Sequence, residues 1–328
     1  MNNVIRWGIL APGGIARKFA TGLQSVPDAK LLAVGSRTQA KADVFAAEFN
    51  VPNRHGSYEA LVNDPEVDVI YIASPHPAHF DNAMLCLNAG KAVLCEKPFA
   101  LNEGQLTTLV RTAREKQIFL MEAMWTRFTP VMTEIRDLIA AGALGDLRLV
   151  QADLGFRAEF DPQHRLFNPD LGGGALLDVG IYPISFASML LGETADIVST
   201  AEIGVTGVDE QSAYLLNYYE GQIAVLSSGV RTHSLVEAAI MGTEAMIRIP
   251  SRWYIPQRFT LIPSKGDAQV IEPPFIGNGY NYEAVEVGRC LREGLLESPI
   301  MPLDESLGIM RMLDRIRAQW GLVYPAER

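Results

Sequence analysis

A turn of small residues, Ala11-Pro12-Gly13-Gly14-Ile15-Ala16, follows an apolar run at Ile5–Leu10 and leads into helical spacing at Ile15–Ser25. In a strand–turn–helix setting, these residue types suit the pyrophosphate of a dinucleotide. Gly13 would let the backbone approach the phosphates, and the helix N-terminus would supply N–H donors and the positive end of its dipole. Ala16 would allow the helix to pack closely on its strand. Ala11 stands where the usual G-x-G-x-x-G/A fingerprint has its first glycine. A second apolar run ends in Val34-Gly35-Ser36-Arg37-Thr38, and no acid follows until Asp43. An acid there would bind the ribose 2′-hydroxyl. Ser36, Arg37, Thr38 and Lys41 suit a 2′-phosphate instead, through charge-assisted hydrogen bonds. NADP is therefore expected over NAD.

The elements that must position these residues are legible in the spacing. Ile5–Leu10, Leu31–Gly35, Val67–Ala73, Ala92–Cys95 and Ile118–Glu122 are near-continuous apolar runs. Helical stretches separate them at Ile15–Ser25, Gln39–Phe49, His79–Ala89 and Leu101–Lys116. This alternation predicts a doubly wound parallel sheet, an α/β Rossmann domain buried on both faces. Beyond about residue 125 the rhythm changes. A helix at Pro130–Ala141 is followed by period-two stretches at 147–156, 197–205, 212–219, 222–230, 235–241 and 245–249. They predict an α+β domain with a large, mostly antiparallel open sheet. Apolar helices are expected at Gly174–Leu191 and Asn281–Glu293, with a last helix at Asp304–Trp320, capped by Asp304 and Gly321. The expected domains are 1–124 for the dinucleotide and 125–328 for substrate and dimerisation. The last helix, about 304–320, is free to pack back on the first.

Composition sets outer bounds. The 328 residues carry 28 Lys and Arg against 38 Asp and Glu, a net charge of −10, which argues against nucleic acid or an anionic membrane as partner. No run of about 18 apolar residues and no N-terminal apolar leader stands out, so a cytoplasmic protein is expected. Three cysteines, Cys86, Cys95 and Cys290, do not make a disulfide framework.

Cys95-Glu96-Lys97-Pro98 directly follows a strand, and Ser74-Pro75-His76-Pro77-Ala78-His79 follows another. With the N-terminal turn, these segments resemble the glucose–fructose oxidoreductase / inositol dehydrogenase (Gfo/Idh/MocA) family. Glu122–Phe128, Gly172–Pro183 and Asp314–Pro325 are similar to one branch, the dimeric dihydrodiol dehydrogenases and NADP-dependent D-xylose dehydrogenases. The likeness spans nearly the whole chain. It implies a Rossmann domain, a second domain whose open sheet forms a homodimer, and hydride transfer between a nicotinamide and a sugar or cyclic trans-diol.

In that setting Lys97 lies at a strand's C-terminal end, where open α/β sheets bind ligands. Its ammonium would hydrogen-bond a substrate hydroxyl and stabilise developing alkoxide charge. Glu96 would orient the loop or lie near the nicotinamide. Pro98 would fix the turn, and its bond is one that readily takes the cis form. Asp178 and Tyr182, four apart, would share a helix face, although Pro183 disfavours helical geometry at Tyr182. Tyr182 is the expected acid/base. A free phenol, with a pKa of about 10, is too weak a base near neutrality, and a neighbouring Lys97 would favour the phenolate. Asp178 would bind a second hydroxyl or hold Lys97.

Ser74, His76 and His79 are expected to line the cofactor groove. Trp125, Arg127, Phe156, Arg165 and Asn168 are expected near substrate, with inter-domain packing the alternative for Trp125. No metal is expected: His76 and His79 flank Pro77 and lack further ligands at plausible spacing. Two other functions fit the same fold. One is a glycosidase with tightly held NAD, against which Ser36 and Arg37 argue. The other is a cofactor-sensing regulator, which would not need Lys97 and Tyr182 together.

Overall fold

The computed structural model describes residues 4–327. The chain divides into two compact units, 1–128 with 276–307, and 129–275 with 308–328. The sequence placed everything after 124 in the second domain. The stretch 276–307 instead belongs with the first unit, because helix α8 (Tyr280–Glu293) packs on α1 (Gly14–Leu23).

In the first unit six strands form one parallel sheet: β1 (Ile5–Leu10), β2 (Ala29–Gly35), β3 (Asn53–His55), β4 (Val69–Ile72), β5 (Ala92–Glu96) and β6 (Leu120–Ala123). Their order is β3-β2-β1-β4-β5-β6. Every residue of β4, β5 and β6 is buried, as expected of strands covered on both faces. Helices α2 (Gln39–Phe49), α3 (Tyr58–Val62), α4 (His79–Asn88) and α5 (Glu103–Lys116) complete the alternation. The short β3 and α3 were not foreseen. With three and five residues they offer too few positions for a period to register.

The second unit holds α6 (Pro130–Ala140), α7 (Ile181–Leu191) and an eight-stranded sheet. Its strands are β7 (Leu147–Gly155), β8 (Thr194–Ile203), β9 (Asp209–Tyr218), β10 (Ile223–Gly229), β11 (Ala238–Gly242), β12 (Ala245–Ile249), β13 (Phe259–Pro263) and β14 (Gln269–Ile271). The order β14-β13-β12-β11-β7-β10-β9-β8 is antiparallel except where β10 runs parallel to β7. Alternating burial along β12 and much of β9 marks one packed face and one open face. β13 and the edge strand β14 escaped the sequence reading, because short, half-exposed strands lose clean alternation.

The expected helix at 174–191 is present in two parts. Leu176–Gly180 winds as a π-helix and runs directly into α7. Pro183 is the third residue of α7 and, lacking an N–H, cannot donate back to the π-helical turn before it. This apolar region, 169–191, is long enough to cross a membrane, yet 78% of its most apolar window is buried as core. The last helix, α9 (Leu303–Trp320), starts one residue earlier than expected. Asp304 therefore lies inside the first turn and is not the cap; it pairs with Arg114 at 2.9 Å. Gly321 adopts φ +69°, as a helix-ending glycine does.

Candidate active site

Between β1 and β4 the chain crosses to opposite sides of the sheet, the switch point where open α/β sheets hold ligands beyond the strands' C-terminal ends. The turn 11–16 lies there. Ala11 takes the left-handed φ of +70°, the conformation that a glycine adopts without strain. Gly13 is the N-cap of α1 and offers no side-chain cap, and no acid stands in the first turn. A Cβ built on Gly13 would meet nothing nearer than the Ala11 carbonyl at 4.0 Å, and one on Gly14 would meet nothing within 4 Å. Neither glycine is required by the protein's own packing. Both keep open ground before the α1 N–H groups, which fits a pyrophosphate. Ala16 is fully buried, as close packing of α1 on the sheet requires. Pro12 and Ile15 remain partly exposed beside it.

At the end of β2, Ser36 is buried and its N–H donates to the His55 carbonyl, 3.0 Å. Arg37, Thr38 and Lys41 are exposed, and the Thr38 side chain makes no cap bond to α2. Asp43 accepts a hydrogen bond from Gln39 at 3.0 Å. Tyr58, unremarked in the sequence, lies close enough to Arg37 to feel its charge; burial raises the Tyr58 pKa against that pull.

The loop after β5 is built on buried acids. The Lys97–Pro98 bond is cis, and Lys97 is half-buried. Tyr71 of β4 donates to the buried Glu96 carboxylate. Glu283 of α8 is fully buried, and its two oxygens have no hydrogen-bond partner. Burial first, then the charge of Glu96, raises the Glu283 pKa well above the ordinary carboxyl range. One layer further in, Glu122 of β6 accepts from the Phe99 N–H at 3.1 Å and from Ser306 Oγ at 2.9 Å. Burial pushes its pKa up to about 7, against the pull of those two bonds and of Arg127.

His79 is fully buried, with Nδ1 2.7 Å from the Pro98 carbonyl and Nε2 2.7 Å from the Ser74 carbonyl. Two carbonyls ask for two N–H donors, which only the cationic ring provides. Burial, aided by the Lys97 charge, lowers the ring's pKa and favours the neutral form. Either way the ring ties the loop after β4 to the loop after β5. It is a brace for those loops. Ser74 is also buried, and its Oγ accepts from Asn82 at 2.9 Å. His76 stays half-exposed, 5.8 Å from His79 between ring centroids.

Two residues expected near substrate are buried in the first unit. Trp125 stacks on Tyr280 at 4.5 Å between ring centroids. Arg127 is bonded to Glu305 at 2.5 Å and to the Ile300 carbonyl at 3.4 Å.

In the second unit the π-helix carries Asp178, and α7 carries Tyr182. Arg165 Nη1 donates to Asp178 Oδ1 at 2.8 Å. Desolvation works against the Arg165 charge, but Asp178 first and then Tyr182 hold its pKa above the usual guanidinium value. Arg165, Asp178 and Tyr182 therefore form one polar cluster. Tyr182 and Phe156 both pack on the apolar group Leu154, Leu166, Phe167, Ala175, Val179 and Val230. The Asn168 side chain accepts from the Asp170 N–H at 2.9 Å and shapes a short turn.

The family model of an oxidoreductase family with an NAD-binding Rossmann fold, GFO/IDH/MocA, matches residues 5–124, and that family's C-terminal domain matches 132–248. The chain belongs to the GFO/IDH/MocA oxidoreductase family. It is 40% identical over 332 residues to a trans-1,2-dihydrobenzene-1,2-diol dehydrogenase of Xenopus tropicalis, covering 98% of this chain and 99% of that one. It is 36% identical over 364 residues to a D-xylose 1-dehydrogenase (NADP+) of Hypocrea jecorina, covering 98% and 93%. A solved 3-ketoreductase from Actinomadura kijaniata, in complex with NADP and TDP-benzene, superposes with a TM-score of 0.85 at 26% identity over 96% of this chain and 98% of that one.

Within this GFO/IDH/MocA oxidoreductase, the sequence reading missed Tyr71, Glu122, Glu283 and Asp209. Tyr71 and Glu122 are single polar residues in short apolar strands, while Glu283 and Asp209 sit among other polar residues of α8 and β9, so no spacing sets any of them apart.

Proposed function

We propose that this oxidoreductase moves hydride between NADP and a hydroxyl of a sugar or a cyclic trans-diol. The observation that carries the cofactor reading is an uncapped α1 N-terminus, clear of side chains, beside an acid-free β2 end bearing Ser36, Arg37, Thr38 and Lys41. The substrate reading draws on the full-length likeness to a trans-diol dehydrogenase and a D-xylose dehydrogenase. When bound, the nicotinamide supplies or accepts the hydride.

The α1 amides would hold the pyrophosphate, and Ser36, Arg37, Thr38 and Lys41 the 2′-phosphate. Ser74, His76 and Glu96 would border the groove. Lys97 would stabilise the substrate oxygen as charge develops on it, and Tyr182 would take or return the hydroxyl proton. Asp178, turned by Arg165, would accept from a second substrate hydroxyl, with Phe156 supplying an apolar wall. In this reading the first unit serves the cofactor, and the second serves the substrate and a second copy of the chain.

The dimer reading rests on the open face of the second sheet. Register aligns Val198, Leu215 and Val225 across three strands, all exposed, with Ile223 on β10 and Met246 on β12 also exposed. An apolar row of this kind is expected to be covered by its symmetry mate. The three buried free thiols agree with a reducing, cytoplasmic setting.

A fluorescence titration with NADPH and NADH, followed by a panel of aldoses and cyclic diols, tests the proposal. Tighter NADPH binding with turnover of one panel class is the expected result. Preferred NADH, or binding without turnover of any aldose or diol, would sink it.

A further inference from the structure

We propose that Asp209 is a positioning residue, anchoring the glycine turn 172–174 and the start of the helix that presents Asp178 and Tyr182. The inference rests on the catalytic reading of those two residues given above.

Asp209 opens β9 and is fully buried. Its Oδ2 accepts from the Leu176 N–H at 2.7 Å, at the first residue of the π-helix. Helix starts leave N–H groups without intrahelical acceptors and carry partial positive charge, so a carboxylate stabilises them. The residue preceding this helix, Ala175, has no side-chain cap to offer. Asp209 supplies it from a strand 33 residues on.

The fit leaves no slack. Gly174 takes φ +115°, and a Cβ there would collide with Asp209 Oδ1. From the other side, Tyr324 Oη donates to the Gly173 carbonyl at 2.8 Å. Arg317 lies 5.1 Å over the Tyr324 ring and pairs with Asp314 and Glu327, both at 2.7 Å. The turn is thus gripped by a carboxylate on one flank and a phenol on the other. Asp178 sits two residues beyond the anchored amide and Tyr182 six, so a shift of the turn re-aims both.

The grip is sensitive to pH. Burial pushes the Asp209 pKa up to about 7, against the Leu176 and Ala175 amides and the Arg317 charge. The other groups facing it are the hydroxyls of Tyr214 and Tyr324, which stay protonated because burial raises both. An ionised Asp209 makes the stronger, charge-assisted bond. Losing its proton through neutrality therefore tightens the helix start.

The test uses the full chain and Asp209→Asn, which retains an acceptor but not the charge. Hydrogen exchange of peptide 173–182 is compared with wild type at about pH 6 and about pH 8. Exchange in the variant is expected to be about tenfold faster at the higher pH and equal at the lower. Equal exchange at both overturns the proposal.

Kinetics with NADP+ and the panel substrate separate positioning from mere packing. kcat of Asp209→Asn is expected to fall on the order of tenfold at the higher pH, with KM for NADP+ held. If exchange quickens while kcat holds, Asp209 is only structural and the proposal fails. Tyr182→Phe in the same assay guards the underlying reading. Full activity there overturns the catalytic role of Tyr182, whatever Asp209 does. Should Asp209→Asn not fold, Tyr324→Phe repeats the exchange measurement from the other flank, and unchanged exchange again overturns the proposal.

Discussion

Arg165 holds Asp178 through a 2.8 Å hydrogen bond, with the arginine half in solvent and the aspartate 9% exposed. The pair orients a carboxylate without burying the cation that does so. Arg165→Ala should therefore lower kcat/KM by about tenfold while leaving the melting temperature within about 1 °C. Steady-state kinetics and a thermal melt check this. A large loss of stability with intact turnover would reverse the assignment.

Lys97 projects from a loop whose neighbours are already fixed by Tyr71, Glu122 and His79. Lys97→Met should fold normally and bind NADPH nearly as wild type. Its kcat should fall on the order of a hundredfold or more. An unchanged kcat removes Lys97 from the chemistry.

Arg37 is exposed, and its removal leaves no core defect. Arg37→Ala should raise the Kd for NADPH by about tenfold and that for NADH by much less, one charge-assisted contact being lost. Equal weakening of the two cofactors would count against a 2′-phosphate contact.

Glu122 has a folded pKa of about 7 against an ordinary 4.5. The folded state therefore holds its proton more tightly than the unfolded chain. Its favourable contribution is whole below about pH 4.5 and is lost as pH rises through about 7. Glu122→Gln lacks that loss. Denaturant unfolding should show the variant gaining roughly 3 kcal/mol on wild type from acid to alkaline pH. A gap that does not change with pH would mean Glu122 ionises as readily folded as unfolded.

Ala11 carries a left-handed φ of +70° that costs a non-glycine residue energy. Ala11→Gly should stabilise the fold by up to about 1 kcal/mol, the strain relief outweighing the added freedom of the unfolded chain. Chemical denaturation measures it. A destabilised variant would show that the methyl group packs usefully.

The parallel sheet was legible because its strands are apolar from end to end, and the second sheet because several of its strands alternate. Both patterns are imposed by neighbours a few residues away. The turn 11–16 was legible for the same reason, being one continuous segment. The partners of Trp125 and Arg127 were not legible because they lie far along the chain. Arg127 meets Glu305 across 178 residues, and no local pattern announces it. His79 reads as a groove residue until Ser74 and Pro98 are seen closing on its two nitrogens.

By itself the sequence determined the two sheets, the family and the stretches where chemistry is concentrated. Backbone hydrogen bonding and periodic burial are short-range demands, and short segments satisfy them visibly. The tertiary structure decided which polar residues are spent on the scaffold and which remain to act. It gave Trp125, Arg127, His79 and Asn168 partners in the scaffold, and it brought Asp209 to the helix of Asp178 and Tyr182. A polar side chain's role depends on what desolvates it and what bonds it. Those neighbours are assembled only when distant parts of the chain meet.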